Sequence, residues 1–363
     1  MESLALNDLF GGTYTGRHVL VTGHTGFKGS WLCLWLSALG ARVTGLALAP
    51  DTDPSHWSLL GLNQVRDLRV DLRDGPAIHR ALHQIQPEII FHLAAQPLVR
   101  RSYHEPLTTF DTNVLGLAHL LEAIRATPSV QALVNATTDK VYLEQPSDGG
   151  YREDHPLGGH DPYSTSKACA ELVTECYRKS FFTESGPRVA TARAGNVIGG
   201  GDWSEDRLVP DLVRAASAGD TLRIRNPHAI RPWQHVLEPL SGYLRLGQCL
   251  LAGDDVEGPW NFGPLADATL PVQALVSQMQ ALWPGLRSEH QPGPHPYEAK
   301  ALQLNCSKAA RMLSWRSLWN ADDTLWRTIQ WYRAYYQHSL LRSNEDLQDY
   351  VTTARSTGLR WAA

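Results

Sequence analysis

Several features that mark a protein's environment are scarce in this chain. Its 363 residues hold five cysteines, an odd number, with no C-x-x-C and no His/Cys cluster at metal spacing. That excludes a disulfide framework and a zinc module, and it suits the reduced thiols of a cytoplasmic protein. Long apolar runs are also lacking. The longest, Trp31 to Leu39, is too short to span a bilayer. Met1 to Gly16 has no basic region followed by an apolar stretch, so no signal peptide is expected. Charge of one sign is not in excess: the net charge is −4, which offers no surface for nucleic acid. There is no internal repeat, low-complexity segment or flexible linker. What the chain does have is 43% hydrophobic and 19% charged residues, enough for a full core in one large α/β unit or two lobes. Among its 12 tryptophans, Trp283, Trp315, Trp319, Trp326 and Trp331 lie near the C-terminus, where core packing is expected.

Apolar runs and helical spacing alternate through the first half. His18–Gly23, Arg42–Ala49, Val65–Val70, Glu88–Leu93, Val130–Thr137 and Arg188–Ala194 are expected strands. Phe27–Leu39, Asp74–Ile85, Pro106–Ala126 and Pro162–Phe182 are expected helices. This alternation predicts an α/β fold, a Rossmann-type doubly wound parallel sheet with helices on both faces. Beyond Gly195 the pattern becomes irregular and rich in Gly, Pro and Trp. The expected organisation is a dinucleotide-binding domain over 1–195, a smaller mixed lobe over 196–340 whose segments return to the first domain, and a tail over 341–363.

Thr22-Gly-His-Thr-Gly-Phe-Lys-Gly29 places glycines 23, 26 and 29 between a strand and a helix. Glycine permits a tight turn and close approach to a pyrophosphate, and the helix start supplies amide donors. Gly23, His24, Thr25, Gly26, Phe27, Lys28 and Gly29 are therefore candidate cofactor residues. Asp71, followed by Leu72, is placed to accept from an adenine amino group. Leu93, Ala94 and Ala95 leave room for a flat cofactor. The second strand ends Gly45-Leu-Ala-Leu-Ala49, without the acid that binds ribose hydroxyls. His24 and Lys28 are expected at the adenosine half. NAD is expected rather than NADP, bound exchangeably.

Asp161-Pro-Tyr-Ser-Thr-Ser-Lys167 has a helix cap, a first-turn proline, and a tyrosine and lysine at i and i+4 on one face. A free phenol titrates near 10. A neighbouring cation is expected to draw Tyr163 toward neutrality and make it a base for a hydroxyl. A surface Tyr and Lys would share the spacing. Thr138-Asp139-Lys140, at the end of the fifth expected strand, adds a hydroxyl, an acid and an amine.

Together the glycine loop, His92-Leu-Ala-Ala95, Asn113, Thr138 and Tyr163 with Lys167 resemble the extended short-chain dehydrogenase/reductase superfamily, from about Gly16 to about Trp315. Within it the chain is most similar to the CDP-glucose 4,6-dehydratases. The runs that carry this are Thr22-Gly-His-Thr-Gly-Phe-Lys-Gly-Ser-Trp31, Thr137-Thr-Asp-Lys-Val-Tyr142, Ala192-Arg-Ala-Gly-Asn-Val-Ile-Gly-Gly-Gly-Asp-Trp203 and Arg231-Pro-Trp-Gln-His-Val-Leu-Glu-Pro239. Leu143-Glu-Gln-Pro-Ser-Asp-Gly149 departs from the family pattern. The resemblance implies an NAD-mediated internal redox dehydration of CDP-glucose at C4, C5 and C6. It implies Tyr163 and Lys167 as catalytic and cofactor residues, Asn113 at the cofactor, and Thr138 on the C4 oxygen. Asp139 becomes the candidate acid. Lys140, where related dehydratases carry glutamate, becomes either a neutral base at C5 or a cation stabilising the enolate. Candidate substrate residues are Gln96, Asn196, Arg207, Arg225, Arg231 and His235, the arginines and Asn196 for the diphosphate. His235 is expected either to pack or to touch the ligand. The superfamily's usual pairing of the two long helices implies a homodimer or a dimer of dimers. A 4-epimerase would share Tyr163, Lys167 and NAD but has no need of Asp139 and Lys140. A redox-sensing binding protein would need neither Tyr163 nor Lys167.

Overall fold

Parallel strands form the centre of the computed structural model, which describes residues 6–145, 149–183, 186–265, 268–291, 293 and 303–363. The first half supplies β1 (His18–Thr22), β2 (Arg42–Ala47), β3 (Arg66–Arg69), β4 (Ile89–His92), β5 (Ala132–Ala136) and β6 (Arg188–Arg193). Between them run α1 (Phe27–Ala38), α2 (His56–Leu60), α3 (Gly75–Ile85), α4 (Val99–His104), α5 (Pro106–Phe110), α6 (Gly116–Arg125) and α7 (Pro162–Ser180). The second half adds the short strands β7 (Val197–Ile198), β8 (Thr221–Ile224), β9 (Ile230–Pro232) and β10 (Gln234–His235), then β11 (Gly258–Asn261), β12 (Thr269–Pro271) and β13 (Arg287–His290). Its helices are α8 (Leu208–Ala218), α9 (Leu237–Ala252), α10 (Val272–Leu282), α11 (Ala321–His338) and α12 (Ser343–Ser356).

The seven-stranded sheet runs β11-β6-β5-β4-β1-β2-β3, every pair parallel. Strands covered on both faces read as near-continuous apolar runs. In β1 successive side chains alternate between two cores: Val19 and Val21 join the one lined by α1, α9 and the C-terminal aromatics, Leu20 the one lined by α3, α6 and α7. The chain order reverses between β1 and β4, and the crevice beyond their carboxyl ends is where such sheets bind ligands.

The helix expected over Pro106–Ala126 is three pieces. α5 passes into a π turn, Asp111–Leu115, with Gly116 N bonded to Asp111 O, before α6 resumes. One extra residue in that turn rotates α6 relative to α5, and such turns concentrate at functional sites. α7 starts as expected: Asp161 accepts from Ser164 N at 2.9 Å and Pro162 occupies the first turn.

The second lobe is mixed, with β7–β10 and β8–β13 parallel and β9–β12 antiparallel. β11 returns to the main sheet as its last strand, and α9 packs beneath β4, β5 and β6. The stretch expected as a tail is a docked element. α12 is followed by Trp361, fully buried and stacked on Phe10 with centroids 5.0 Å apart. Four of the five late tryptophans are buried as expected, but Trp326 is 44% exposed.

Candidate active site

The glycine loop closes β1 onto α1. Gly23 sits at φ 74, and a Cβ there would fall 2.6 Å from Ala94 N. A Cβ on Gly29 would collide with Gly23 O. These two glycines let backbone lie on backbone. Gly26 differs: it is exposed, and a Cβ there would meet only Gly23 O, at 3.4 Å. The first amides of α1, which have no intrahelical acceptor, therefore open onto free space, as a pyrophosphate requires. Thr25 Oγ1 donates to Leu48 O at 3.1 Å and holds the loop against the end of β2. Leu93, Ala94, Ala95 and Phe27 line the crevice half-buried. The residues present fit a dinucleotide.

The other residues expected at the cofactor make contacts within the chain. His24 does not face the adenosine half. It is buried, lies over Gly45, meets Trp57 edge-on at 4.5 Å, and bonds Asp67 Oδ1 through Nε2 at 2.9 Å. Burial lowers its pKa, with Asp67 opposing. Asp67, absent from the residues expected at the cofactor, brings a carboxylate beside β2 from the neighbouring strand. Its other oxygen pairs with Arg69 at 2.6 Å. The only signal for it in the sequence is an acid inside a short strand that pairs with Gly45. Lys28 also turns away from the adenosine half. Its Nζ lies 3.5 Å from Tyr243 Oη, and burial, then the Arg207 and Lys167 cations, lower it to about 7. Leu72 is a core side chain. Asp71 is bound by Arg73, Nη2 to Oδ2 at 2.6 Å, which holds its carboxyl below the usual range, with burial opposing.

Beyond β5 the chain makes a single 3-10 turn, Asp139–Val141. Thr138 Oγ1 donates to Asp139 Oδ1 at 3.0 Å, and Lys140 Nζ reaches the same oxygen at 3.0 Å. Asp139 is fully buried and its Oδ2 has no partner among the described residues. Gly195 makes the room, since a Cβ there would strike that oxygen. Tyr163 and Lys167 face this turn from α7. Tyr163 is 8% exposed; burial pushes its phenol up to about 12, with a Thr138 hydrogen bond opposing. Lys167 Nζ donates to Ala136 O at 3.1 Å, and burial lowers it to about 8. The expected fall of the phenol toward neutrality is thus not met. Burial is the largest cause, and the Lys167 ammonium is directed at the Ala136 carbonyl.

Asn113 and Gln96 prove to be internal braces. Asn113 Nδ2 donates to Gln96 O and Ser166 Oγ, and its Oδ1 accepts from Gln96 N at 2.8 Å. The Gln96 side chain is engaged by Leu98 and Thr109. Both therefore tie the end of β4 to the π turn and α7. Asn196 sits at φ 42 with its buried Nδ2 unpartnered among the described residues. Arg207 bonds Asp202 at 2.9 Å and its charge acts on Lys28 and Tyr163. Arg225 and Arg100 both hold Asp206, at 3.2 and 2.6 Å, and Arg231 Nη1 donates to Ile230 O at 3.0 Å. His235 is a core residue: it is fully buried between Trp31 and Trp319, and burial takes it to about 3.

The curated CDP-glucose 4,6-dehydratase of Salmonella typhimurium is 45% identical over 349 residues, covering 93% of this chain and 97% of that protein. A dTDP-glucose 4,6-dehydratase of Xanthomonas campestris is 26% identical, covering 86% of this chain and 92% of the relative. Among solved structures, an epimerase of Methanothermobacter thermautotrophicus superposes with TM-score 0.81 at 23% identity, over 93% of this chain and 98% of that one. A Thermus thermophilus UDP-glucose 4-epimerase in complex with NAD gives 0.74 at 26% identity, over 89% and 99%. A family model described as GDP-mannose 4,6 dehydratase matches residues 20–256. Because that span holds the glycine loop, the Asp139 turn and the Tyr163 helix, and exceeds half the chain, the protein belongs to the GDP-mannose 4,6 dehydratase family.

Proposed function

We propose that the protein is a CDP-glucose 4,6-dehydratase, a hydro-lyase converting CDP-D-glucose to CDP-4-dehydro-6-deoxy-D-glucose and water. The observation that carries this is the 45% identity over 93% of the chain to the Salmonella protein of that name. The glycine loop, the start of α1 and Leu93–Ala95 would hold NAD, which when bound accepts hydride from C4 and returns it at C6. Tyr163 takes the C4 hydroxyl proton; the Thr138 hydrogen bond and the Arg207 charge favour its phenolate against burial, and Lys167, one helical turn away and held by the Ala136 carbonyl, is a proposed cofactor ligand. Thr138 holds the same sugar oxygen.

A ketone at C4 acidifies the C5 proton, and elimination then needs an acid and a base together. Asp139 and Lys140 meet at 3.0 Å. Moving one proton across that contact turns the ion pair into a neutral acid and a neutral amine. Lys140 then takes the C5 proton while Asp139 gives its own to the departing C6 hydroxyl. Water leaves, C5 and C6 become doubly bonded, and the ion pair is restored. Asn196 and Arg207 are the proposed diphosphate ligands, with Arg231 and Arg225 at the rim. No helix among the described residues is long and apolar enough to cross a membrane, and the proposed location is the cytoplasm. The proposed assembly is a homodimer or a dimer of dimers.

The test is incubation with NAD and, in parallel, CDP-glucose and the dTDP-, UDP- and GDP-linked hexoses. A 4-keto product should form fastest from CDP-glucose. No product from it, faster conversion of another nucleotide hexose, or a C4 epimer instead would overturn the reading.

A further inference from the structure

Behind the catalytic turn lies a buried ion pair that the proposed chemistry does not use. Glu171 stands on α7, one turn beyond Lys167, and Arg193 ends β6. Their side chains are 4% and 3% exposed. Glu171 Oε1 accepts from Thr137 Oγ1 at 2.5 Å and Arg193 Nε at 3.0 Å. Its Oε2 accepts from Thr191 Oγ1 at 2.6 Å and Arg193 Nη2 at 2.9 Å. Arg193 Nη1 donates to Tyr142 Oη at 2.8 Å and to Glu153 O at 3.1 Å, and its guanidinium lies 4.9 Å from the Tyr142 ring.

The sequence positions of these partners matter. Thr137 immediately precedes Thr138, and Tyr142 immediately follows Val141. Glu171 therefore holds the entry to the catalytic turn and Arg193 its exit. Tyr142 Oη also donates to Asn261 Oδ1 at 2.7 Å, and Asn261 Nδ2 donates to Tyr151 O at 2.8 Å. The network thus runs from the catalytic helix through the turn to β11 at the far edge of the sheet. A buried pair of this kind adds little net stability against an apolar pair of equal volume, because both charges lose their water. What a saturated buried network does supply is fixed geometry.

We propose that Glu171 and Arg193 are positioning residues for elimination, clamping both ends of the turn that presents Asp139 and Lys140. This rests on the dehydratase reading. Tyr163 is held separately, by the Asp161 cap of α7 and by its own amide donating to Ser102 Oγ at 3.1 Å. Loosening the clamp therefore displaces Asp139 and Lys140, and shifts Thr138 with them, while the Tyr163 backbone stays in place; C4 oxidation, which keeps its base, is slowed less than loss of water.

Thr137→Val and Tyr142→Phe each cut one tie and leave the ion pair whole. Each is expected to lower kcat by about tenfold, and the pair of changes by about a hundredfold, with KM for CDP-glucose within about threefold of wild type. In a single turnover, reduced nicotinamide should accumulate in the variants and not in wild type. Melting temperature and CDP affinity report on the fold. If Tyr142→Phe fails to fold, Thr137→Val decides alone. Folded variants that turn over within twofold of wild type would overturn the inference. So would a loss of kcat without reduced nicotinamide, since a general structural defect slows both steps alike. Wild type run alongside keeps the two questions apart: if it makes no 4-keto product, the function fails, and if it does while the variants match it, only the clamp fails.

Discussion

Tyr163 and Asp139 carry the proposed chemistry, and each is buried in a way that makes its loss informative. Tyr163→Phe removes one oxygen and keeps the shape. Turnover should fall by about a hundredfold or more, with CDP affinity nearly unchanged by calorimetry; a variant keeping a tenth of wild-type activity would show that another group is the base. Asp139→Asn replaces a group that can give a proton with one that cannot. It should slow loss of the C6 hydroxyl more than oxidation at C4, so rapid-mixing absorbance should show reduced nicotinamide building up. Equal loss of both steps would remove Asp139 from the acid's role. At the cofactor end, β2 stops at Ala47, which is 6% exposed, whereas Ala49 is exposed. Ala49→Asp should tighten NAD binding by about 1–2 kcal/mol if one charge-assisted hydrogen bond to a ribose hydroxyl forms. Titration of the variant against wild type, with no gain in affinity, would refute it. Residue types and spacing made Gly23, Gly29, Asp161 and Tyr163 legible, because each has a local backbone or helix-face reason to be where it is. The inward contacts of His24, Lys28, Asn113 and Gln96 are not legible, because nothing in a spacing says which way a loop or strand-end side chain turns.

Among the elements, the helix pair around the π turn has two faces. Leu117, Leu120, Leu121 and Ala168 are buried within the chain, while Leu107, Leu115 and Leu172 are 83%, 54% and 59% exposed. An apolar face of this kind on long helices suits association with a second copy. Leu115→Lys with Leu172→Lys should therefore yield monomers in light scattering at micromolar concentration, with the melting transition of the separated chain still cooperative. An unchanged assembly would place the contact elsewhere. The periodicity of 106–126 announced a helix; the π turn inside it went unseen, because that turn is set by Asn113 bonding Gln96 and Ser166, both distant in sequence.

At the scale of the whole molecule, buried ionisable groups set the response to acid. Burial holds His56, His92 and His235 at about 3, against about 6.5 in the unfolded chain. Between those values the unfolded state binds more protons, so these histidines lower stability as pH falls through that window. Burial raises Glu238 and Asp346 to about 7, against about 4 unfolded. Between about 4 and 7 the folded state holds their protons, so they raise stability as pH falls. Three opposing two leave a net of one proton between about pH 4 and 6.5, a gentle decline of about 1.4 kcal/mol per pH unit as pH falls. Below it only the histidines count, and stability should drop by about 4 kcal/mol per pH unit, three protons at about 1.4 each. Denaturant midpoints followed by tryptophan fluorescence should fall gently from about pH 6.5 to 4.5 and about three times more steeply below about 4. A uniform decline across the whole range would contradict this balance.

The alternation of strands and helices, the glycine turn and the tyrosine–lysine face were legible along the chain, because each arises from contacts within a few residues, and the parallel sheet follows from that alternation although its pairs lie far apart. Tertiary packing decided that β11 and α9 return to the first sheet, that α12 is anchored by the Trp361 that follows it, against Phe10, and that Lys28 belongs with Tyr243 and Arg207. It also decided that Glu171 meets Arg193 beneath the catalytic turn. In each of these cases the partners lie on different elements, and their meeting depends on packing angles and strand order, which no local period encodes.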